Sequence, residues 1–489
     1  MLIRFPATST ACGRDNCRAL LRLELLEQRT VPSFLPPVNY PAGMQPSSVA
    51  VGDFANTGTP DLAVTNLFTN NVSVFLGNSD GTFQPAVNYP VGMNPRFIAM
   101  ADLTRSGIAD LLVVNHVGSF STGSVSVLRG NGDGTFQPSV NYAVGTGPAT
   151  LAVGDFNNDG VPDLVVTNIN SSNVSILLGN GDGTFQPAFN VPVGATPESV
   201  KVTDLNGDGN ADLVVTNRTS NMVSVLLGNG DGTFRPPVSY GTGTEPFSLV
   251  VADFLGDGNF DLAIANRFSN NVSVLLGNGD GTFQPAVNYA AGPSPWSIAA
   301  ADFDGDGNLD LVVANNAAGV SVLLGNGDGT FQAPLPFMAG SGPFSVAVED
   351  FNGDGLPDLA VANRFSNNVS VLINAGDWSG GHPSGGHRPS KGVAGSGHRP
   401  ALLISTPVKT STQDMTVDRP ATETAVDHLL STFAGNDRNL TLWSELHSLW
   451  SNAVFQPPMI SNLLRWRTGS CEPFAGNTEL AWLLLNRLW

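Results

Sequence analysis

An aspartate-rich loop recurs seven times along this chain at nearly constant spacing, and no other feature restricts the possible folds as much. It opens at Asp53, Asp102, Asp155, Asp204, Asp253, Asp302 and Asp350, in steps of 49, 53, 49, 49, 49 and 48 residues. A period of that size makes each repeat one supersecondary unit, unable to bury its own faces, that must pack on its neighbours.

The third repeat shows what one unit contains. LAVGDFNNDGVPDLVVTN (151–168) sets two short apolar runs around a turn-rich loop, and NVSILLGNGDGTFQPAFNVPVG (173–194) follows. The runs are strand-length, rich in Val, Leu and Ile, and bounded by Gly, Asn, Asp and Pro; none reaches the ten or more residues of a helix. Four strands per repeat follow: LAVGDF, DLVVTN, NVSILLGN and TFQPAFNVPV. Units of this kind at this period predict the blades of a β-propeller.

The ends of the array favour closure into a ring. SFLPPVNYPAG (33–43) matches TFQPAVNYPVG (82–92) one period later, pairing Phe34 with Phe83 and Tyr40 with Tyr89, so a fourth strand stands there without its first three. The seventh repeat, within 346–377, stops where its fourth strand should begin. An N-terminal strand that completes the last blade would remove two edges otherwise open to aggregation. The expected fold is therefore all-β: a seven-bladed propeller of four-stranded blades over residues 33–377, closed by an N-terminal strand.

Four of the loops follow D-x-[DN]-x-D-G-x-x-D. They are Asp155, Asn157, Asp159, Asp163; Asp204, Asn206, Asp208, Asp212; Asp302, Asp304, Asp306, Asp310; and Asp350, Asn352, Asp354, Asp358. Alternate positions of a tight loop aim at one point, glycine at position six permits the sharp turn, and every donor is a hard oxygen. That set suits calcium better than magnesium, which prefers rigid octahedral geometry and keeps more of its water. An EF-hand is excluded, because its twelfth position needs Glu and is here Val166, Val215, Val313 and Val361, and because the flanks are strands. The fifth loop keeps Asp253, Asp257 and Asp261 but has Leu255 at a ligand position. The first has Ala55 and Thr57 between Asp53 and Asp61, and the second Thr104 and Ser106 between Asp102 and Asp110; no metal is expected in these two. The competing reading of all seven as metal-free Asn/Asp/Gly turns is favoured only there.

These loops and strands together resemble FG-GAP/VCBS repeats, the units of integrin α-chain-like propellers, over about residues 33–377. The resemblance implies calcium in the loops of one face, in four sites with a marginal fifth, and ligand binding on the opposite face. That face would comprise LFTNN (67–71), HVGSFSTG (116–123), RFSNN (267–271) and the PVG-x-x-P segments. It names no ligand, because no integrin-type recognition domain is inserted and no RGD motif appears.

Other matches to reactive motifs have plainer readings. GNGDGTF, at 130–136 and four more times, resembles half of a β-roll calcium motif but occurs once per blade, as an Asn-Gly/Asp-Gly hairpin would. Gly77-Asn78-Ser79-Asp80-Gly81 is a formal G-x-S-x-G match, yet it joins two strands and the only histidine before residue 380 is His116. Asn173, Asn271 and Asn368 begin Asn-Val-Ser sequons at one repeat position and read as strand-edge residues.

The acidic balance, 41 Asp and Glu against 22 Lys and Arg for a net charge of -19, argues against nucleic acid or an anionic membrane as partner. Cys12, Cys17 and Cys471 all lie outside the repeats, so no disulfide framework or structural zinc site is supported. Residues 1–32 read as an export-type or disordered segment in which LRLELLEQRTVPS (21–33) resembles a motif found ahead of large secreted repeat proteins in some bacteria. Residues 378–400 have linker composition with His382, His387 and His398, and 401–489 read as partly helical or poorly ordered, with no segment long enough to span a bilayer. The expected protein is secreted or on the cell surface, a monomeric propeller that binds calcium and an extracellular protein or glycan. An enzyme acting on extracellular polysaccharide is the alternative, disfavoured because the channel-side loops look almost unchanged from blade to blade; a structural surface component is a third.

Overall fold

The computed structural model describes residues 33–118 and 121–378, in which twenty-eight strands form seven four-stranded antiparallel sheets. The expectations for residues 1–32, for the linker beyond Trp378 and for 401–489 lie outside the described residues, as do residues 119 and 120 of the second blade. In blade 4 the strands are Pro197–Thr203, Asp212–Asn217, Met222–Leu226 and Val238–Gly241, paired in chain order from the innermost outward. The other blades repeat this pattern. The fourth strand is shorter than its sequence suggested: in blade 3 it is Phe189–Pro192, and Phe185 touches its neighbour through one isolated bridge to Gly179. Pro187 between them has no N–H to donate.

All six residues of every second strand are buried, from Asp61–Asn66 to Asp358–Asn363. A half-buried sheet would alternate, so this run shows that both faces of each blade are covered by its neighbours. Seven apolar clusters accordingly lie between blades. Phe156, Val165 and Ile176 of blade 3, for example, pack on Val200, Leu213 and Leu226 of blade 4. Edge-to-face aromatic pairs pin several of these contacts, including Phe156 with Phe234 and Phe54 with Phe136, both with ring centroids 5.6 Å apart.

The N-terminal strand closes the ring as its sequence implied. Val38–Pro41 pairs antiparallel with the third strand of blade 7, Val38 opposite Val371 and Pro41 opposite Asn368. Phe34 bridges to Asn374, the place that Phe83 holds against Gly77 in blade 1.

Candidate functional site

Two ends of the propeller carry different chemistry, because the innermost strand of each blade begins at one end and runs into the Asp loop at the other. At the loop end, the ninth-position aspartate has the same role in all seven blades. Its Oδ2 accepts the N–H of the loop's second residue, as from Phe156 to Asp163 at 2.9 Å, and its Oδ1 accepts an N–H from the turn after the third strand, as from Gly179 at 2.7 Å. Asp212, Asp261, Asp310 and Asp358 are held the same way, and so are Asp61 and Asp110 in the two loops where no metal is expected. Burial pushes Asp310 and Asp358 up to about 7 and Asp163 and Asp212 up to about 6; the two N–H groups oppose the rise and nearby loop carboxylates add to it.

The opening aspartates fold their own loops. Asp155 accepts N–H bonds from Asp159 and Gly160, and Asp53 accepts the same pair from Thr57 and Gly58. Asn157, Asn206 and Asn352 each donate to the carboxylate two residues on, at Asp159, Asp208 and Asp354. In the fifth loop Asp253 holds Gly256, Asp257 and Gly258, while Asp257 accepts from Asn259. Thr57 and Ser106 accept from the N–H groups of Thr59 and Ile108 the hydrogen bond that Asp159 accepts from Val161, so a hydroxyl performs the backbone task of the missing carboxylate.

Among the described residues one acidic group gathers closely enough to hold an ion: Asp302, Asp304 and Asp310 place oxygens within 4.8 Å of one another. A carboxylate has about four lone-pair sites, so Asp310 retains acceptor capacity after its two N–H bonds. The donor set fits a hard divalent cation. Asp306, also expected as a ligand, accepts the N–H of Asn308 at 2.8 Å.

The opposite end is where the blades differ. Each innermost strand starts with Pro, and each has a register shift just after it, between Pro46 and Ser48 or their counterparts in five blades and one residue longer, Pro148 to Leu151 and Pro197 to Val200, in blades 3 and 4. A bulge re-aims the residue it contains. The residue that directly follows the Pro within this stretch is Ser47, Arg96, Ala149, Glu198, Phe247, Trp296 or Phe344. The residue before Pro adopts positive φ in every blade, with Thr196 at 59° and Glu245 at 56°, a conformation that costs a non-glycine residue roughly 1 kcal/mol or more. A neighbouring blade helps to hold it: Glu245 N–H donates to Asn221 and Ser294 N–H to Asn270.

The bulged side chains meet across the channel mouth. Arg96 of blade 2 pairs with Glu198 of blade 4, and Arg218 Nη1 lies 3.7 Å from the other oxygen of Glu198. Burial raises the pKa of Glu198, against the pull of Arg96 and then Arg218. Trp296 packs between Phe247 and Phe344, each 4.4 Å away by ring centroid, with Arg267 over the indole at 4.4 Å. Arg267 also pairs with Glu245 at 3.4 Å, and Arg364 lies 5.2 Å over Phe344. Further along the same strand as Glu198, Lys201 is open to water although protein surrounds it closely enough to lower its pKa; its counterparts are Ala or Val.

The FG-GAP-like repeat model matches residues 53–113, 102–166, 155–215, 204–264, 255–313 and 302–361. The chain belongs to the FG-GAP-like repeat family. None of the curated proteins compared with it matches. Similar solved structures include BBS1N in complex with ARL6DN (17% identity, 70% of this chain and 97% of that one, TM-score 0.52). A lectin from Agrocybe aegerita that recognises non-reducing terminal N-acetylglucosamine is 24% identical over 60% of this chain and 80% of its own, with a TM-score of 0.45. A periplasmic gluconolactonase from Pseudomonas aeruginosa is 18% identical over 60% and 85%, with a TM-score of 0.47. At these identities the likeness to BBS1N speaks for the fold alone.

The FG-GAP-like loops were legible from sequence, but the mouth cluster was not. The expectation that channel-side positions repeat almost unchanged is corrected by the bulged residues, of which five are Arg, Glu, Phe or Trp. The available signal was the residue after each x-Pro, which changes in size and charge from blade to blade while the Pro before it is constant. The bland readings of the other motifs fit the structure: Ser79 lies in a turn between strands, Asp182 caps the GNGDGTF turn through Thr184, and Asn173 Oδ1 accepts from Asn168. No helix among the described residues is long and apolar enough to cross a membrane.

Proposed function

We propose that this chain is a secreted or cell-surface, calcium-binding propeller that serves as a binding or adhesion module for an extracellular protein or glycan, and that it is not an enzyme. The carrying observation is the division of labour between its two ends: one repeats an Asp loop of common design, and the other presents side chains that differ in size and charge among the blades at a single mouth. A ligand is distinguished by groups that differ, while a repeated loop serves the ring as a whole. Calcium would be held by the loops opening at Asp155, Asp204, Asp302 and Asp350, with the loop at Asp253 marginal, and would offset the repulsion of their clustered carboxylates. Extracellular calcium would fill even sites with Kd of about 10⁻⁴ to 10⁻³ M.

The enzyme reading has one observation in its favour, the buried and non-repeated Glu198. Against it, both carboxylate oxygens face arginines, which suits a structural ion pair better than proton transfer. A thermal melt of the full chain with calcium and then EGTA tests the metal, and an unchanged Tm would remove it. Arrays of glycans and extracellular proteins test binding. Turnover on a polysaccharide panel that Glu198→Gln abolishes would replace this reading with the enzyme.

A further inference from the structure

Resting on the reading as a binding module, the mouth also indicates what kind of ligand it takes. Three arginines, Arg96, Arg218 and Arg267, pair with two glutamates, Glu198 and Glu245, and a fourth, Arg364, lies over Phe344, so the cluster is net positive on a chain of net charge -19. Arg364 has no carboxylate partner among the described residues; its Nε donates to Gln45 Oε1 at 3.1 Å. Arg96 stands near enough that its charge, after burial, lowers the pKa of Arg364. An anion at this point would relieve that repulsion.

Around the charged centre the same end carries exposed apolar side chains. Phe68, Phe268 and Phe365, in the turns after the second strands, are 54%, 61% and 60% exposed, and Met44 and Met93 are 54% and 58% exposed. The ring of Phe365 lies against Gly342 (φ 70°), where a Cβ would stand 2.4 Å from it. Arg, Trp, Phe and Met around a central buried cluster is the composition of a protein-binding surface. The central indole, Trp296, offers no uncovered face for a sugar ring to stack on, since Phe247, Phe344 and Arg267 are packed against it.

We infer that the channel mouth binds a segment of a partner protein bearing an Asp or Glu side chain flanked by apolar residues, with Arg364 and Arg96 receiving the carboxylate and Phe268 and Phe365 the flanking side chains. The test uses the calcium-loaded full chain and a panel of labelled twelve-residue peptides, each with one central Asp or Glu between Leu, Phe and Val. Partner peptides carry Asn or Gln at the centre, and uronate-terminated glycans are assayed beside them. The expected result is binding of acidic peptides that weakens at least tenfold on amidation and as salt rises. It should weaken at least tenfold again in Arg364→Ala and in Phe268→Ala, with Tm unchanged. Phe189→Ala, on an outer strand, serves as control and leaves binding intact. Should Arg364→Ala fail to fold, exposed Phe268 and the amide peptides still decide. Equal binding of the amides, binding of the glycans alone, or indifference to both mouth variants overturns the inference. If no peptide binds while another ligand on the arrays does, this inference falls and the binding-module reading stands; silence on every array removes both.

Discussion

Arg129 Nε lies 3.3 Å from Asp110 Oδ1, which gives blade 2 a fixed cation where the other blades have Leu76, Leu178, Leu227, Leu276, Leu324 and Ile373. The same guanidinium donates to Thr104 Oγ1 at 3.3 Å and to the carbonyl of Asp182 on blade 3 at 2.7 Å. Blade 2 thus neutralises its buried carboxylate from within the chain and ties its turn to the next blade. Arg129→Leu keeps the side chain that the other blades tolerate but removes this pairing, and should cost roughly 1–3 kcal/mol in urea unfolding. Because the second loop has Thr104 and Ser106 at ligand positions, calcium should not restore the loss. Full recovery on adding calcium would refute this account of the blade.

Asp304 invites a test in which the sign reverses. Its charge raises the pKa of Asp310 and adds to the repulsion within the sixth loop, yet its oxygen is one of three that converge there. In EGTA, Asp304→Asn should raise Tm by relieving repulsion; in calcium it should lower Tm relative to the unchanged chain and weaken one site about tenfold or more. Calorimetric calcium titration would report the affinity. A variant that shifts Tm the same way under both conditions would show that the loop holds no ion.

Protons and calcium should compete for these loops. With folded pKa values of about 7 for Asp310 and Asp358 and about 6 for Asp163 and Asp212, against 3.8 unfolded, the metal-free native state binds more protons than the unfolded chain between about pH 4 and 7. Metal-free stability should therefore fall as pH rises through that window. Saturating calcium should flatten or invert the slope, since the ion favours the ionised carboxylates. Melts from pH 4.5 to 7.5, with and without calcium, decide it; a metal-free Tm that climbs with pH would contradict the raised values.

How much was legible beforehand follows from where each interaction lies in the chain. The loop from Asp155 to Asp163 is nine residues long, and its bonds are local enough to be spelled out in sequence. Ring closure was legible despite the distance from Tyr40 to Val369, because the missing strand left a visible gap in a periodic pattern. Arg96 and Glu198 are different: they stand 102 residues apart and meet only because a bulge turns each toward the mouth of a closed ring. The clamping role of Asp163 was hidden for a related reason, since one of its partners, Gly179, lies beyond the third strand.

Closure by the N-terminal strand can be separated from the packing of the other blades. Phe34 is 4% exposed, with ring centroids 5.0 Å from Phe337, 5.6 Å from Trp378 and 5.9 Å from Phe303, so it fills the last gap between blades 6 and 7. Leu35 N–H bonds Ile373 O and Ala375 N–H bonds Ser33 O, both at 2.8 Å, extending the pairing beyond the strand itself. Phe34→Ala should cost about 3–5 kcal/mol, the usual loss for a buried phenyl ring. Removing residues 1–41 goes further, because it bares the edge of Asn368–Leu372, and an unpaired edge recruits strands from other chains. The truncated protein should associate in light-scattering chromatography, and a synthetic SFLPPVNYPAG peptide added in trans should restore the monomer and part of the melt. A truncated chain that stays monomeric with an unaltered Tm would mean that blade 7 is stable with three strands.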